Sequence, residues 1–124
     1  MKTSELYHAQ LEGDVLILTL QSQAQNMAES AAISERQRLP SEYIRVAATH
    51  AVVDFNQLSY FTSMLLEALL QLWKSVEARN GRMALYNLAP IGREIISVSH
   101  FDRLWPICDT REQALQAVLA DVPR

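Results

Sequence analysis

Cysteine is nearly absent from this chain: Cys108 stands alone among 124 residues. One thiol cannot close an intramolecular disulfide, and such usage fits a reducing compartment. Glycine is also scarce, occurring only at positions 13, 81 and 92. That spacing excludes a glycine-rich phosphate cradle, and no G-x-G-x-x-G, Walker-type, G-x-S-x-G or H-E-x-x-H motif is present. Neither sign of charge dominates, since 11 Lys and Arg against 14 Asp and Glu give a formal net charge of −3. This balance supplies no basic footprint for nucleic acid or anionic lipid. Long apolar runs are missing as well. The longest, around Met64–Trp73, is broken by Glu67 and Gln71 and is too short and polar to span a bilayer. The first residues, MKTSELYHAQLEGD, carry charges where a signal peptide would be apolar, so a cytoplasmic protein is expected.

What is present suits one globular domain. Apolar residues make up 49% and charged residues 20%, enough for a core without metal or disulfide at this length. Tyr7–Leu11 and Val15–Leu20 read as strands around a turn at Gly13, and the near-continuous apolar run VLILTL predicts cover on both faces. Residues 24–38, rich in Ala, Glu, Gln and Arg, favour a helix that Pro40 ends. Ser41–His50 is open between a short helix capped by Ser41 and an extended segment. AVVDF (51–55) is a strand. From Thr62 to about Arg79, Leu65, Leu69, Leu72, Trp73 and Val76 form one apolar helical stripe, stopped by Asn80-Gly81. Met83–Leu88 is another strand, and Pro90 opens a helix through Ile91–Ser97. Phe101–Ile107 contains Pro106, so a strand there lies at an edge. Asp109 or Thr110, with Glu112 or Gln113, offers a capping box for a last helix through about Leu119. The order β-β-α-β-α-β-α-(β)-α predicts an α/β fold with helices packed on a mixed sheet.

The candidate chemical residues each have a plain role available. His8, His50 and His100 are scattered without metal-ligand spacing, so no metal or other cofactor is expected. Cys108 has no C-x-x-C partner and no identifiable base, and is expected to be a partly buried apolar residue. Glu94, Asp102 and Asp109 suit a helix surface, a pairing with Arg103 or Arg93, and a helix cap. Trp73 belongs to the apolar stripe and to the core. Trp105, beside Pro106, is expected to be partly exposed and a candidate for an interface. An enzyme using Cys108 or the histidines is therefore disfavoured.

AVVDFNQLSYFTSMLLEALLQL (51–72) resembles the central signature of STAS domains, a "V-(hydrophobic)-D-(hydrophobic)" strand leading through a loop to "(hydrophobic)-D-S-S-G-L" and a helix. RNGRMALYNLAP resembles the family's Gly-basic-strand step, GREIISVSHFDRLWPICDT its "L-D-R-L-F-P" step, and REQALQAV its terminal helix. The likeness runs over residues 5–120, strongest from 51 to 118, with 22–50 poorly matched. It implies one STAS domain over 1–124, with a mixed four- to five-stranded sheet. By resemblance the chain is a bacterial anti-sigma factor antagonist (an anti-anti-sigma factor), working in signal transduction and transcription regulation by protein–protein interaction.

The family's acceptor for its kinase is the second serine of D-S-S-G. Laid on this chain, the motif puts Thr62 at the aspartate, Ser63 at the first serine, Met64 at the acceptor and Leu65 at the glycine. A thioether cannot be phosphorylated. Phosphate at such a helix start adds about −1.5 to −2 charges and disrupts an interface, whereas methionine is apolar and pliable. The resemblance thus implies a partner-binding surface at Tyr60, Thr62, Ser63, Met64 and Leu65, with Met64 as a hydrophobic plug. Thr62 and Ser63 are read first as helix caps and second as alternative phosphoacceptors. The implied partner is an anti-sigma factor of the GHKL-type serine kinase class, or another STAS-bearing protein, with no direct nucleic-acid contact and no membrane insertion. A homodimer and a role as accessory subunit of a membrane transporter stay open.

Overall fold

The computed structural model describes residues 6–22, 24 and 37–120. Strands β1 (Tyr7–Glu12) and β2 (Val15–Leu20) form a hairpin around Gly13, whose φ of 59° is the left-handed value that a tight turn needs. Strands β3 (His50–Asp54), β4 (Met83–Tyr86) and the two-residue β5 (Ile107–Cys108) follow in parallel. The sheet order is β1-β2-β3-β4-β5, with β1 the antiparallel member. The mixed sheet expected from the sequence is thus five-stranded.

Register sorts the side chains into two layers. Leu16, Ala51 and Met83 lie side by side across β2, β3 and β4, as do Ile17, Val52 and Ala84 one position on. Period-2 alternation sends the first row to one face and the second to the other. On the first face Leu16, Leu18, Leu20, Ala51, Val53, Met83 and Leu85 meet helices α1 (Arg38–Ile44), α2 (Ser63–Ala78) and α3 (Pro90–Val98). On the second, Val15, Ile17, Val52, Ala84 and Tyr86 meet Ala114 and Val118 of α4 (Arg111–Leu119). VLILTL is covered on both sides.

Pro40 lies inside α1 as its third residue, not at the end of a preceding helix. First-turn amides have no intrahelical acceptor, so a residue lacking N–H is harmless there. Ser41 is likewise interior. Its N–H makes the first helical bond, to Gln37 O at 2.9 Å, so it does not cap. The helix expected over 24–38 lies almost wholly outside the described residues.

Helix α2 ends as predicted. Asn80 takes φ 60°, its N–H donates to Glu77 O, and Gly81 N–H donates to Val76 O, a Schellman stop. Gly81 is required by space: a Cβ there would sit 1.8 Å from Thr49 O. Next to this stop, Arg79 donates to the carbonyls of Tyr43, Ile44, Val46 and Ala48 at 2.8–3.3 Å and lies 4.4 Å from the Tyr43 ring centroid. It thereby ties the end of α1 to the end of α2.

The C-terminal third departs from expectation at Trp105. Phe101–Arg103 is a 3₁₀ turn, and only Ile107–Cys108 joins the sheet. The turn swings Trp105 inward to 1% exposure, its ring 5.2 Å from that of Phe101. Trp105 is therefore core and not interface. Pro106 needs no donor, because its carbonyl accepts from Leu85 N–H at 3.0 Å. Trp73 is half-buried against the core.

Candidate functional site

The segment between β3 and α2 is pinned from below at regular intervals. Phe55, Leu58 and Phe61 are all buried, and the Phe55 and Phe61 rings lie 5.4 Å apart. Leu58 N–H closes a turn onto Phe55 O at 2.9 Å, and Phe55 N–H donates to Tyr86 O at 3.0 Å. Asp54 fixes the near end. Its Oδ1 accepts from Asn56 N–H at 2.9 Å and from Asn87 Nδ2 at 3.1 Å, joining the ends of β3 and β4. Asn87 reaches this position with φ 62°, a left-handed value that asparagine tolerates better than other side chains. Burial first, and then the Asp54 carboxylate, push the Tyr86 hydroxyl up to about 12.

Anchored apolar residues at positions 55, 58 and 61 leave the intervening ones outward. Tyr60 is 42% exposed and Ser63 is exposed, while Thr62 and Met64 are half-buried. These four share one rim at the start of α2. Leu65 does not belong to it. It is wholly buried among Leu69, Leu72 and the sheet, so it anchors the first helical turn and presents nothing to a partner. Thr62 occupies the N-cap position in extended conformation, and its carbonyl accepts from Leu65 N–H at 3.1 Å. Its side chain makes no cap hydrogen bond, and Ser63 is the first helical residue, so neither hydroxyl caps α2.

The other candidates are dispersed. His8 is on β1, His50 on β3, and His100 follows α3 with φ 63°. His50 Nδ1 accepts from Arg82 N–H at 3.0 Å. Among the described residues no three His, Cys, Asp or Glu converge on a metal-sized site. Cys108 is half-buried on β5, and burial pushes its thiol up, away from the thiolate a nucleophile needs. Asp109 pairs with Arg93, and Thr110 is the cap of α4. The Asp54–Asn87 tie escaped the sequence reading. An asparagine just after a strand was its one local sign.

No helix among the described residues is long and apolar enough to cross a membrane. The STAS domain family model matches residues 8–114. BtrV of Bordetella bronchiseptica, a proposed anti-sigma factor antagonist, is 32% identical over 73 residues, covering 59% of this chain and 63% of that relative. The likeness thus spans less than two thirds of that relative's length. Among solved structures, an anti-sigma-factor antagonist (STAS) domain protein of Planctomyces limnophilus superimposes with a TM-score of 0.76 at 23% identity, over 90% of this chain and 96% of that one. The antagonist SpoIIAA, a Bacillus cell fate determinant, in its unphosphorylated form gives 0.73 at 20% identity over 94% and 99%. The β3 signature, the rim at the start of α2 and the five-stranded mixed sheet all fall within the matched span, and the chain belongs to the STAS domain family.

Proposed function

We propose that this chain is a partner-binding module of the anti-sigma factor antagonist kind, with Tyr60, Thr62, Ser63 and Met64 as its contact rim. One observation carries the reading. Met64, the second residue of α2, stands half-buried at the place of the acceptor serine in the motif, with exposed Tyr60 and Ser63 on the same rim. A helix start favours an anion through its unpaired amides and dipole. A thioether there offers instead an apolar, adaptable surface that phosphate cannot switch off. The partner would be a GHKL-type anti-sigma kinase or a second STAS-bearing signalling protein, and the module would bind it constitutively without catalysing a reaction itself.

Exposure of Ser63 supports a second reading, in which a kinase modifies this neighbour instead. Purified GHKL-type kinases encoded in the same genome separate the two. The constitutive reading expects one of them to bind the chain equally well before and after incubation with ATP, with no phosphate detected by mass spectrometry. It also expects Met64→Glu to abolish that binding while the fold is retained. Stoichiometric phosphate on Ser63 or Thr62 replaces the constitutive reading by the regulated one. Binding unaffected by Met64→Glu removes the rim from both.

A further inference from the structure

Helix α3 buries little of its surface. Gly92 and Ile96 are its buried residues, and Ile95 packs partly against the core. Its remaining apolar side chains point outward, with Ile91 58% and Val98 71% exposed. Ile91, Ile95 and Val98 fall at i, i+4 and i+7, the spacing that normally faces a core. Leu104, beyond the helix, is 40% exposed as well. Scattered apolar residues on a surface need no explanation, but a stripe at helical spacing does. A groove of about 380 Å³ follows this stripe, lined by Ile91, Glu94, Ile95, Val98 and Ser99.

The surroundings indicate what covers it. The first turn of α3 sits on the loop that carries the contact rim: a Cβ at Gly92 would lie 3.2 Å from the Phe61 ring and 3.2 Å from Leu88. Phe61 is flanked by Tyr60 and Thr62, so the stripe continues the rim onto the neighbouring helix. The groove also holds one charge, the exposed Glu94, which has no ion-pair partner among the described residues, whereas Arg93 is engaged by Asp109.

We propose, resting on the partner-binding reading of that rim, that the outer face of α3 receives an amphipathic helix of the same protein partner. That helix carries apolar side chains at i, i+4 and i+7 and a Lys or Arg set against Glu94, the helix-in-groove mode of recognition. A second copy of this chain fits less well. Glu94 stands beside Ile95 at the middle of the stripe, so a two-fold axis there opposes two carboxylates.

The test titrates the isotope-labelled full chain with two synthetic helical peptides, followed by NMR. Both carry Leu at i, i+4 and i+7, and they differ by Lys or Glu at the position facing Glu94. Saturable shifts centred on Ile91, Ile95 and Val98 are expected, with the Lys peptide about fivefold tighter. Val98→Asp should weaken the Lys peptide about tenfold, and Glu94→Lys should reverse the preference. Both positions are exposed, so melting of the variants should match the parent. Absence of saturable shifts, or shifts lying elsewhere, overturns the proposal. Concentration-dependent shifts of α3 without peptide overturn it too, in favour of a second copy. With a kinase partner in hand, loss of binding on Met64→Glu but not on Val98→Asp discards the α3 face and keeps the rim. Binding that survives Met64→Glu but is lost on Val98→Asp discards the rim and keeps the α3 face.

Discussion

Helices α2 and α4 both begin on a threonine in extended conformation, Thr62 at φ −95°, ψ 170° and Thr110 at φ −130°, ψ 161°. Beyond that the two starts are built differently. Thr110 Oγ1 accepts from Gln113 N–H at 3.2 Å, and Gln113 Oε1 accepts in return from Thr110 N–H at 3.3 Å and Asp109 N–H at 2.9 Å. Four consecutive residues thus satisfy one another's orphan amides. In α2 the residue equivalent to Gln113 is Leu65, which is buried and cannot close such a box. Leu58, Phe61 and Leu65 hold that start from the core side. Local hydrogen bonding fixes α4, and tertiary burial fixes α2. A helix start held from beneath can vary its outer residues with little cost to the fold, and Ser63 and Met64 occupy that position.

The largest effect should come from removing the burial. Leu65→Ala deletes a wholly enclosed side chain and should cost about 2–5 kcal/mol in denaturant unfolding. Amide exchange should rise first in the opening turn of α2. A cost under about 1 kcal/mol would break the contrast, because it would mean that burial does not hold this start.

Alkaline pH loosens both layers of the sheet by another route. Tyr7, on the face covered by α1–α3, is pushed up to about 12, by burial first and then by its hydrogen bond to Glu42 at 2.8 Å. Tyr86, on the face under α4, is also raised to about 12. A raised folded value means that the neutral form is favoured in the fold. The stabilisation is complete below the unfolded value of 10 and is lost as pH climbs towards 12. Melting temperature should therefore fall between pH 10 and 12, and Tyr7→Phe should make that fall shallower. An equally steep fall in the variant would remove Tyr7 as a cause.

The local start was legible in the sequence, because a capping box is a short pattern of residue types. The α2 start was legible only in part. Spacing placed Leu65 on the buried stripe with Leu69, Leu72 and Val76, while the motif laid over the same residues placed it on the partner surface. Packing decided for the stripe, since a leucine at the first buried position of a helix has more to gain inside. Trp105 was misjudged for a related reason. Pro106 does mark an edge, but the 3₁₀ turn before it swings the indole inward, and local sequence does not encode that swing. Arg79 was invisible altogether. Its four carbonyl acceptors lie 31–36 residues away and leave no local signal.

The smallest effects test the contrast most directly, since they involve the same substitution at two equivalent places. Thr110→Ala removes the acceptor for Gln113 N–H and unties the reciprocal bond, and should cost about 1 kcal/mol. Thr62→Ala removes no cap hydrogen bond and should cost less, about a few tenths of a kcal/mol. Denaturant melts of both variants, run side by side, give the difference independently of the absolute scale. Equal losses would mean that the Thr62 side chain supports its helix as much as Thr110 does, and the rim would then be part of the fold's framework. A loss confined to Thr110 leaves the start of α2 resting on its buried residues, and its outer surface open to selection by a partner.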